Sequence, residues 1–259
     1  MTKITWKPGT MLAPVPPALI SCGTVDKPNV MTAAWTGIIN SEPPMTYVSI
    51  RPSRYSHRLI SESGEFVINL TNLPLAAAAD YCGVKSGRDV NKFKEMHLTP
   101  APCSQLKAPQ VGESPVSIEC KVKDVHTFGS HDMFLAEIVA VNVDDQYLDE
   151  NGKLWLEKAG LVAYVHGFYY TLGRNLGKFG FSVDKKRLAA AEQKAKKTET
   201  KPVSKFARKK GAWISNATSG DKTELPLFSF KPKKKYGNNK NFKKNKALAG
   251  NASRTGRPA

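Results

Sequence analysis

Two short segments near the N-terminus combine side chains that suit one kind of ligand. Asn29-Val30-Met31-Thr32-Ala33-Ala34-Trp35 offers an amide, a hydroxyl, small side chains and one large aromatic face. Sixteen residues beyond Trp35, Arg51-Pro52-Ser53-Arg54-Tyr55-Ser56 packs two guanidinium groups and two serine hydroxyls into six positions. Arginine makes bidentate, charge-assisted bonds to phosphate oxygens. Serine hydroxyls fill the remaining oxygens, and a helix starting just beyond the cluster would add backbone N–H donors. Thr32 suits the polar edge of a flat ring, and Trp35 suits its face. The alternatives are a core Trp on a buried strand and a basic turn with an ordinary serine cap.

A flat, polar-edged ring with a phosphate tail needs both kinds of surface, and FMN is such a ligand. Ser86-Gly87-Arg88-Asp89-Val90-Asn91-Lys92-Phe93 reads as a loop entering a short helix. It either reaches the phosphate or the pyrimidine edge, or stays a solvated surface loop. His131, at an expected hairpin tip beside Asp132, would meet a nicotinamide or the flavin, or be a solvated turn histidine. Gly173 to Gly180 has glycines but follows no strand–helix dinucleotide pattern. No Ser/His/Asp or His-cluster signature is present. That is compatible with a flavoenzyme, because flavin chemistry is the cofactor's own and needs no general base or metal. No residue is singled out as catalytic.

The elements that must hold these residues are mostly short strands. Ala18–Val25 and Val30–Ile39 flank the turn-type tetrapeptide Asp26-Lys27-Pro28-Asn29 and read as a hairpin. Met45–Ile50 and Phe66–Leu70 are further strands. Between them Ser56 would cap a helix over His57–Ser63 that stops at Gly64. The alanine-rich run Leu73–Cys82 reads as a helix ending at Gly83. Val116–His126 and Met133–Val143 form a second hairpin, with Val116, Ile118, Cys120 and Val122 alternating against Ser117, Glu119 and Lys121. Leu161–Val165 is a last strand. Many strands with a few short helices predict a mainly β barrel, not a doubly wound sheet.

Charge divides the 259 residues in two. Residues 1–184 hold 17 of the 39 Lys+Arg and 18 of the 22 Asp+Glu, a net charge of −1; the other 22 basic and four acidic residues give 185–259 a net charge of +18. The predicted organisation is a folded domain over 1–184 and a Lys-rich, largely disordered extension over 185–259, with a basic helix possible at Lys185–Lys197. In that extension Lys and Arg interleave with Phe206, Trp213, Phe228, Tyr236 and Phe242, a composition that suits single-stranded nucleic acid and equally solubility, nonspecific anion attraction or adhesion to a membrane surface. The alternative function is therefore a nucleic-acid-associated protein with a noncatalytic barrel. Cys22, Cys82, Cys103 and Cys120 show neither CxxC pairs nor ligand spacing with histidine, which argues against structural zinc and a disulfide framework. The N-terminus lacks the apolar run of a signal peptide, and no stretch approaches the length of a membrane span. A reducing cytoplasm is the expected setting.

The chain resembles the flavin reductase-like family, in particular its flavoredoxin branch. The resemblance rests on Lys27 to Trp35, Ile50 to Ser56, Gly64-Glu65-Phe66-Val67-Ile68-Asn69-Leu70, Cys82-Gly83, Ser86 to Phe93, Glu119-Cys120 and His131-Asp132-Met133-Phe134, in order over residues 10–183. It implies an FMN-binding split β-barrel of Greek-key type that works as a homodimer, with flavin sites near the subunit interface. It also implies electron transfer from NADH or NADPH through the flavin, either to released flavin or to an electron-acceptor protein. The cofactor contacts it implies are Asn29, Met31, Thr32, Ala33, Trp35, Ile50, Arg51, Pro52, Ser53, Ser56, Ser86, Gly87 and Lys92. His131 and Tyr169 fall on the nicotinamide side. The family more often shows Gly-Asp-His at the second hairpin, where this chain reads Gly129-Ser130-His131-Asp132.

Overall fold

The computed structural model describes residues 1–184, and Met1–Asp184 form one compact unit. The expected basic helix and disordered extension lie outside the described residues. Strands β1 (Ala18–Gly23), β2 (Pro28–Ala33), β3 (Thr36–Ser41) and β4 (Pro44–Ile50) lead into helix α1 (Tyr55–Ser63) and strand β5 (Glu65–Asn69). Helices α2 (Ala76–Val84) and α3 (Lys92–Glu95) follow, then the two-residue strands β6 (Pro100–Ala101) and β7 (Gln110–Val111). The long strands β8 (Val116–Thr127) and β9 (Asp132–Val143) come next, and the hairpin β10 (Val162–Val165) and β11 (Phe168–Thr171) comes last.

Seven strands make one sheet in the order β2-β1-β5-β8-β9-β4-β3, antiparallel throughout. β1–β2, β3–β4 and β8–β9 pair as hairpins, and α1 carries the chain from β4, beside β9, across to β5, beside β8. The sheet's two edges, β2 and β3, are joined only by Ala34 and Trp35. The barrel interior is filled by Ile20, Cys22, Val48, Ile50, Phe66, Cys120 and Phe134, with Ile60 of α1 packed among them. A second cluster lies between the sheet and the helices after β5, where Leu19 and Val30 meet Ala79, Cys82 and Phe93. β1 feeds both clusters, which explains why it reads as a continuous apolar run and not an alternating one.

Three boundaries differ from expectation. The run from Val30 to Ile39 is not one strand: it breaks at Ala34-Trp35, where the chain leaves one sheet edge for the other. Ser56 does not cap α1. The helix begins two residues earlier, at Tyr55, with Arg54 at its N-cap, and Ser56 turns inward, bonded by Asn29. Gly83 lies inside α2, and the helix ends at Val84 with Lys85 as its C-cap. Gly64 terminates α1 in the left-handed conformation as expected (φ 69°). The second strand of the last hairpin, Phe168–Thr171, was not foreseen.

A buried carboxylate fastens the connection between α3 and β8. Glu119 is fully buried on β8, and its oxygens accept from the backbone N–H groups of Ser104, Gln105 and Leu106, the Ser104 hydroxyl and the Asn142 amide. Burial alone would raise its pKa, but the bonds from Ser104, Asn142 and Gln105 outweigh it and hold the carboxyl below the usual range. A depressed native pKa gives stability that is complete at neutral pH. That stability is lost as pH falls from the ordinary carboxylate range through the native value. Glu119→Gln should therefore lower unfolding free energy by about 1–3 kcal/mol in urea titrations at neutral pH, with the gap to wild type narrowing in acid.

Candidate functional site

Two adjoining cavities open where the edges of the sheet meet the helices. The first, of about 370 Å³, is lined by Met31, Thr32, Ala33 and Trp35 from β2 and the break after it, and by Ile50 and Arg51 at the end of β4. The backbone N–H of Ser49 donates to the Trp35 carbonyl (2.9 Å) and fixes the break against β4. Gly83 of α2 faces Thr32, where a Cβ would meet the Thr32 Cβ at ordinary contact distance (3.5 Å), and the Thr32 hydroxyl donates to the Ala79 carbonyl. α2 is thus held against β2. Trp35 is 43% exposed, a cavity wall and not a core residue.

His131, Tyr164 and Tyr169 complete this cavity. The His131 and Trp35 rings lie 4.4 Å apart between centroids, tilted by 39°. Partial burial and the nearby Arg51 guanidinium keep the imidazole below its ordinary pKa, against the opposing pull of Asp132. Tyr169 packs edge-on against Tyr164 at 5.3 Å, and burial together with the neighbouring Asp80 carboxylate pushes its hydroxyl up to about 12. Behind this wall Asp132 pairs with His57 at 2.7 Å.

The second cavity, of about 670 Å³, is a cationic groove sharing Met31, Arg51, Arg54 and Gly83 with the first. Ser53, Ser56, Ser86, Gly87 and Lys92 line it. Lys92 is only 4% exposed. Its Nζ donates to the carbonyls of Cys82 (3.1 Å) and Lys85 (3.2 Å) at the end of α2, and no carboxylate lies within ion-pair distance among the described residues. Burial, reinforced by Arg54, lowers its pKa, while Cys82 and Cys22 pull the other way. A buried ammonium that meets only carbonyl dipoles on a groove wall suits an incoming anion.

The sequence-derived candidates therefore converge. Met31, Thr32, Ala33, Trp35, Ile50, His131 and Tyr169 line the first cavity; Ser53, Ser56, Ser86, Gly87 and Lys92 line the groove, and Arg51 and Met31 line both. Asn29 and Pro52 line neither. Asn29 is buried behind the groove, where its Nδ2 donates to the Ser56 hydroxyl (2.7 Å) and the Cys22 sulfur (3.4 Å). Sequence reasoning missed Asp80 and Tyr164 as cavity residues and Lys85 as a groove residue. The turn at His166-Gly167, between two aromatic runs, was the available signal for the hairpin carrying Tyr164.

Residues 11–173 match the family model described as "Flavin reductase like domain". Among solved structures, the chain is 35% identical to flavoredoxin of Desulfovibrio vulgaris (Miyazaki F), with TM-score 0.64, covering 69% of this chain and 97% of that one. It is 28% identical to flavoredoxin from Methanosarcina acetivorans, again with TM-score 0.64, covering 71% and 100%. A flavin reductase with split barrel domain from Shewanella frigidimarina aligns at 25% identity and TM-score 0.58, covering 64% and 85%. The chain belongs to the flavin reductase-like family. The likeness to the two flavoredoxins places it in the flavoredoxin branch.

Gly87 is the tightest point of the site. A Cβ there would lie 2.0 Å from Asn29 Oδ1 and 2.9 Å from Tyr55 Cδ1. Gly87→Ala must displace the loop or the Asn29 amide, and should destabilise the fold by about 1–3 kcal/mol in denaturant melts.

Proposed function

We propose that the protein binds FMN and works as an oxidoreductase that takes electrons from NADH or NADPH and passes them to an acceptor. The observation that carries this reading is Lys92, a buried cation facing a groove of arginines and serines beside a ring-sized aromatic cavity. The donor set fits the cofactor: Arg51, Ser53, Ser56, Ser86 and Lys92 would hold the phosphate, and Met31, Thr32, Ala33, Trp35 and Ile50 the ring. Asn29 would act from behind, through Ser56. When bound, FMN supplies a two-electron centre between nicotinamide and acceptor. His131 and Tyr169 would bound the face on which the nicotinamide stacks.

The working unit is a homodimer in this reading. Its support is the apolar side chains left exposed on the sheet, Ile38 (87% exposed) and Ile39 on β3, Val125 on β8, and Val139 and Val141 on β9. The four free cysteines are in keeping with a cytoplasmic setting. Among the described residues no helix is long and apolar enough to cross a membrane.

The visible spectrum of the purified protein, followed by anaerobic addition of NADH and NADPH, tests the function. A flavin spectrum bleached by one of them establishes the oxidoreductase and its donor. A bound flavin that neither reduces points to a carrier fed by another protein. A protein that binds no added FMN ends the reading.

Arg51→Ala should weaken FMN binding by about 1.5–3 kcal/mol, the range for a hydrogen bond to a charged group, and weaken riboflavin binding by less. Lys92 binds phosphate only when protonated, so FMN affinity should fall as pH rises through its lowered pKa. Lys92→Met should remove that alkaline limb in a fluorescence titration.

A further inference from the structure

A further cavity, of about 290 Å³, adjoins the ring cavity and shares Ala34, Trp35, Tyr164 and Gly167 with it. Its outer wall is the segment before β1, with Thr10, Leu12, Ala13 and Val15, and its far side is the turn of the last hairpin at His166. Val15 is fastened to Tyr164 by two backbone bonds (3.0 and 2.8 Å). Pro14, Pro16 and Pro17 around it have no N–H to extend that ladder, so the bridge stays one residue long while the strap is stiff. His166 has a φ of 46°, a left-handed conformation that histidine tolerates better than most side chains. The turn it forms with Gly167 (φ 91°) places His166 on the cavity wall.

Charge sets this cavity apart. Arg51, Arg54 and Asp80 line the ring cavity and the groove is cationic, whereas no Lys, Arg, Asp or Glu is among the described residues that line this one. A pyrophosphate would meet no counter-charge here, and desolvating it unpaired is costly. The charged half of a nicotinamide dinucleotide is thereby excluded. What remains is aliphatic wall, the Trp35 ring, and three side chains able to donate a hydrogen bond, Thr10, Tyr164 and His166. Such a surface suits a small, flat, uncharged ring that carries carbonyl oxygens.

We propose that this cavity seats a small uncharged quinone, the acceptor of the electrons. The acceptor role rests on the flavin reading above; the seat itself does not. Overall, the hydride of NADH or NADPH supplies two electrons and one proton, and water supplies the second proton. Both quinone C=O groups become C–OH, and the nicotinamide leaves oxidised.

The probe is duroquinone, whose four methyl groups leave no ring position for the free cysteines to attack. Its dissociation constant is measured by equilibrium dialysis on the oxidised, FMN-loaded full chain, for wild type, Ala13→Phe and His166→Gly. Ala13 is exposed on the strap, so a Phe there fills the cavity without entering the core. Glycine accepts the left-handed backbone and removes the imidazole. Each variant should bind duroquinone about tenfold more weakly than wild type, a loss of about 1.4 kcal/mol, with FMN affinity and anaerobic reduction of the bound flavin unchanged. Hydroquinone formation at low quinone should slow by the same factor. Pentamethylbenzoate, a ring of similar size with a negative charge, should bind wild type about tenfold more weakly than the quinone. If wild type binds no duroquinone or does not reduce it, if either variant binds it as wild type does, or if pentamethylbenzoate binds as tightly, the proposal is overturned and the flavin reading stands. If Ala13→Phe spares the quinone and weakens the unreactive donor analogue tetrahydro-NADPH, the cavity belongs to the donor and the quinone assignment is overturned. If wild type binds no FMN, the flavin reading is at fault and the acceptor role falls with it, and dialysis on the flavin-free chain decides the seat.

Discussion

The site depends on one buried amide. Asn29 sits on β2 and reaches the Ser56 hydroxyl on α1 and the Cys22 sulfur on β1, while its own oxygen abuts Gly87 so closely that no side chain fits there. Three segments far apart in sequence therefore meet at a single polar group. Because the group is buried, each unmade bond would carry a desolvation cost of about 1–3 kcal/mol, which favours one arrangement of the groove. The glycine is required by this close approach and not by backbone conformation.

Around this junction the protein separates two environments. The ring cavity is bounded by Trp35, His131, Tyr164 and Tyr169, side chains that present flat faces, with Asp80 and two arginines at its margins. The groove beside it is cationic, and its deepest charge, Lys92, is held by the carbonyls that end α2. These carbonyls form the negative end of a helix, so they favour the ammonium without cancelling its charge. A carboxylate in their place would neutralise Lys92 and remove its attraction for an anion. The same logic runs in reverse at Glu119, where hydrogen-bond donors surround a buried carboxylate and no ligand is needed. One buried charge is satisfied by the fold, the other only in part.

The barrel explains why these pieces meet. Its edges β2 and β3 are joined by two residues, Ala34 and Trp35, and there the indole turns out of the core. α1 must cross from β4 to β5, so its first turn, with the Arg51 to Ser56 cluster, is delivered to the mouth of the barrel beside β2. The helices after β5 pack on the outer face of β1 and β2 and bring Gly83 and Lys92 to the same place.

Much of this was legible in residue order. Alternation in Val116 to Val122, the turn at Asp26 to Asn29 and the stop at Gly64 are local effects, set by side-chain periodicity and backbone preference, and the strands and α1 follow from them. The pairing of an arginine–serine cluster with a Thr–Trp segment is the sequence basis of the proposed ring-and-phosphate ligand, because side-chain chemistry is a property of residue type. What the chain order does not carry is which side chains share a space. Ser56 reads locally as a cap, yet a partner 27 residues away turns it inward. Trp35 reads either as a ring wall or as a core residue, and the crossing between sheet edges exposes it. Asp80 and Tyr164, on an alanine-rich helix and a late hairpin, join the cavity only through packing. Residue types and local elements were determined by sequence, whereas burial, adjacency and the uncompensated charge of Lys92 were decided by tertiary structure, because they depend on contacts between segments that no local spacing encodes.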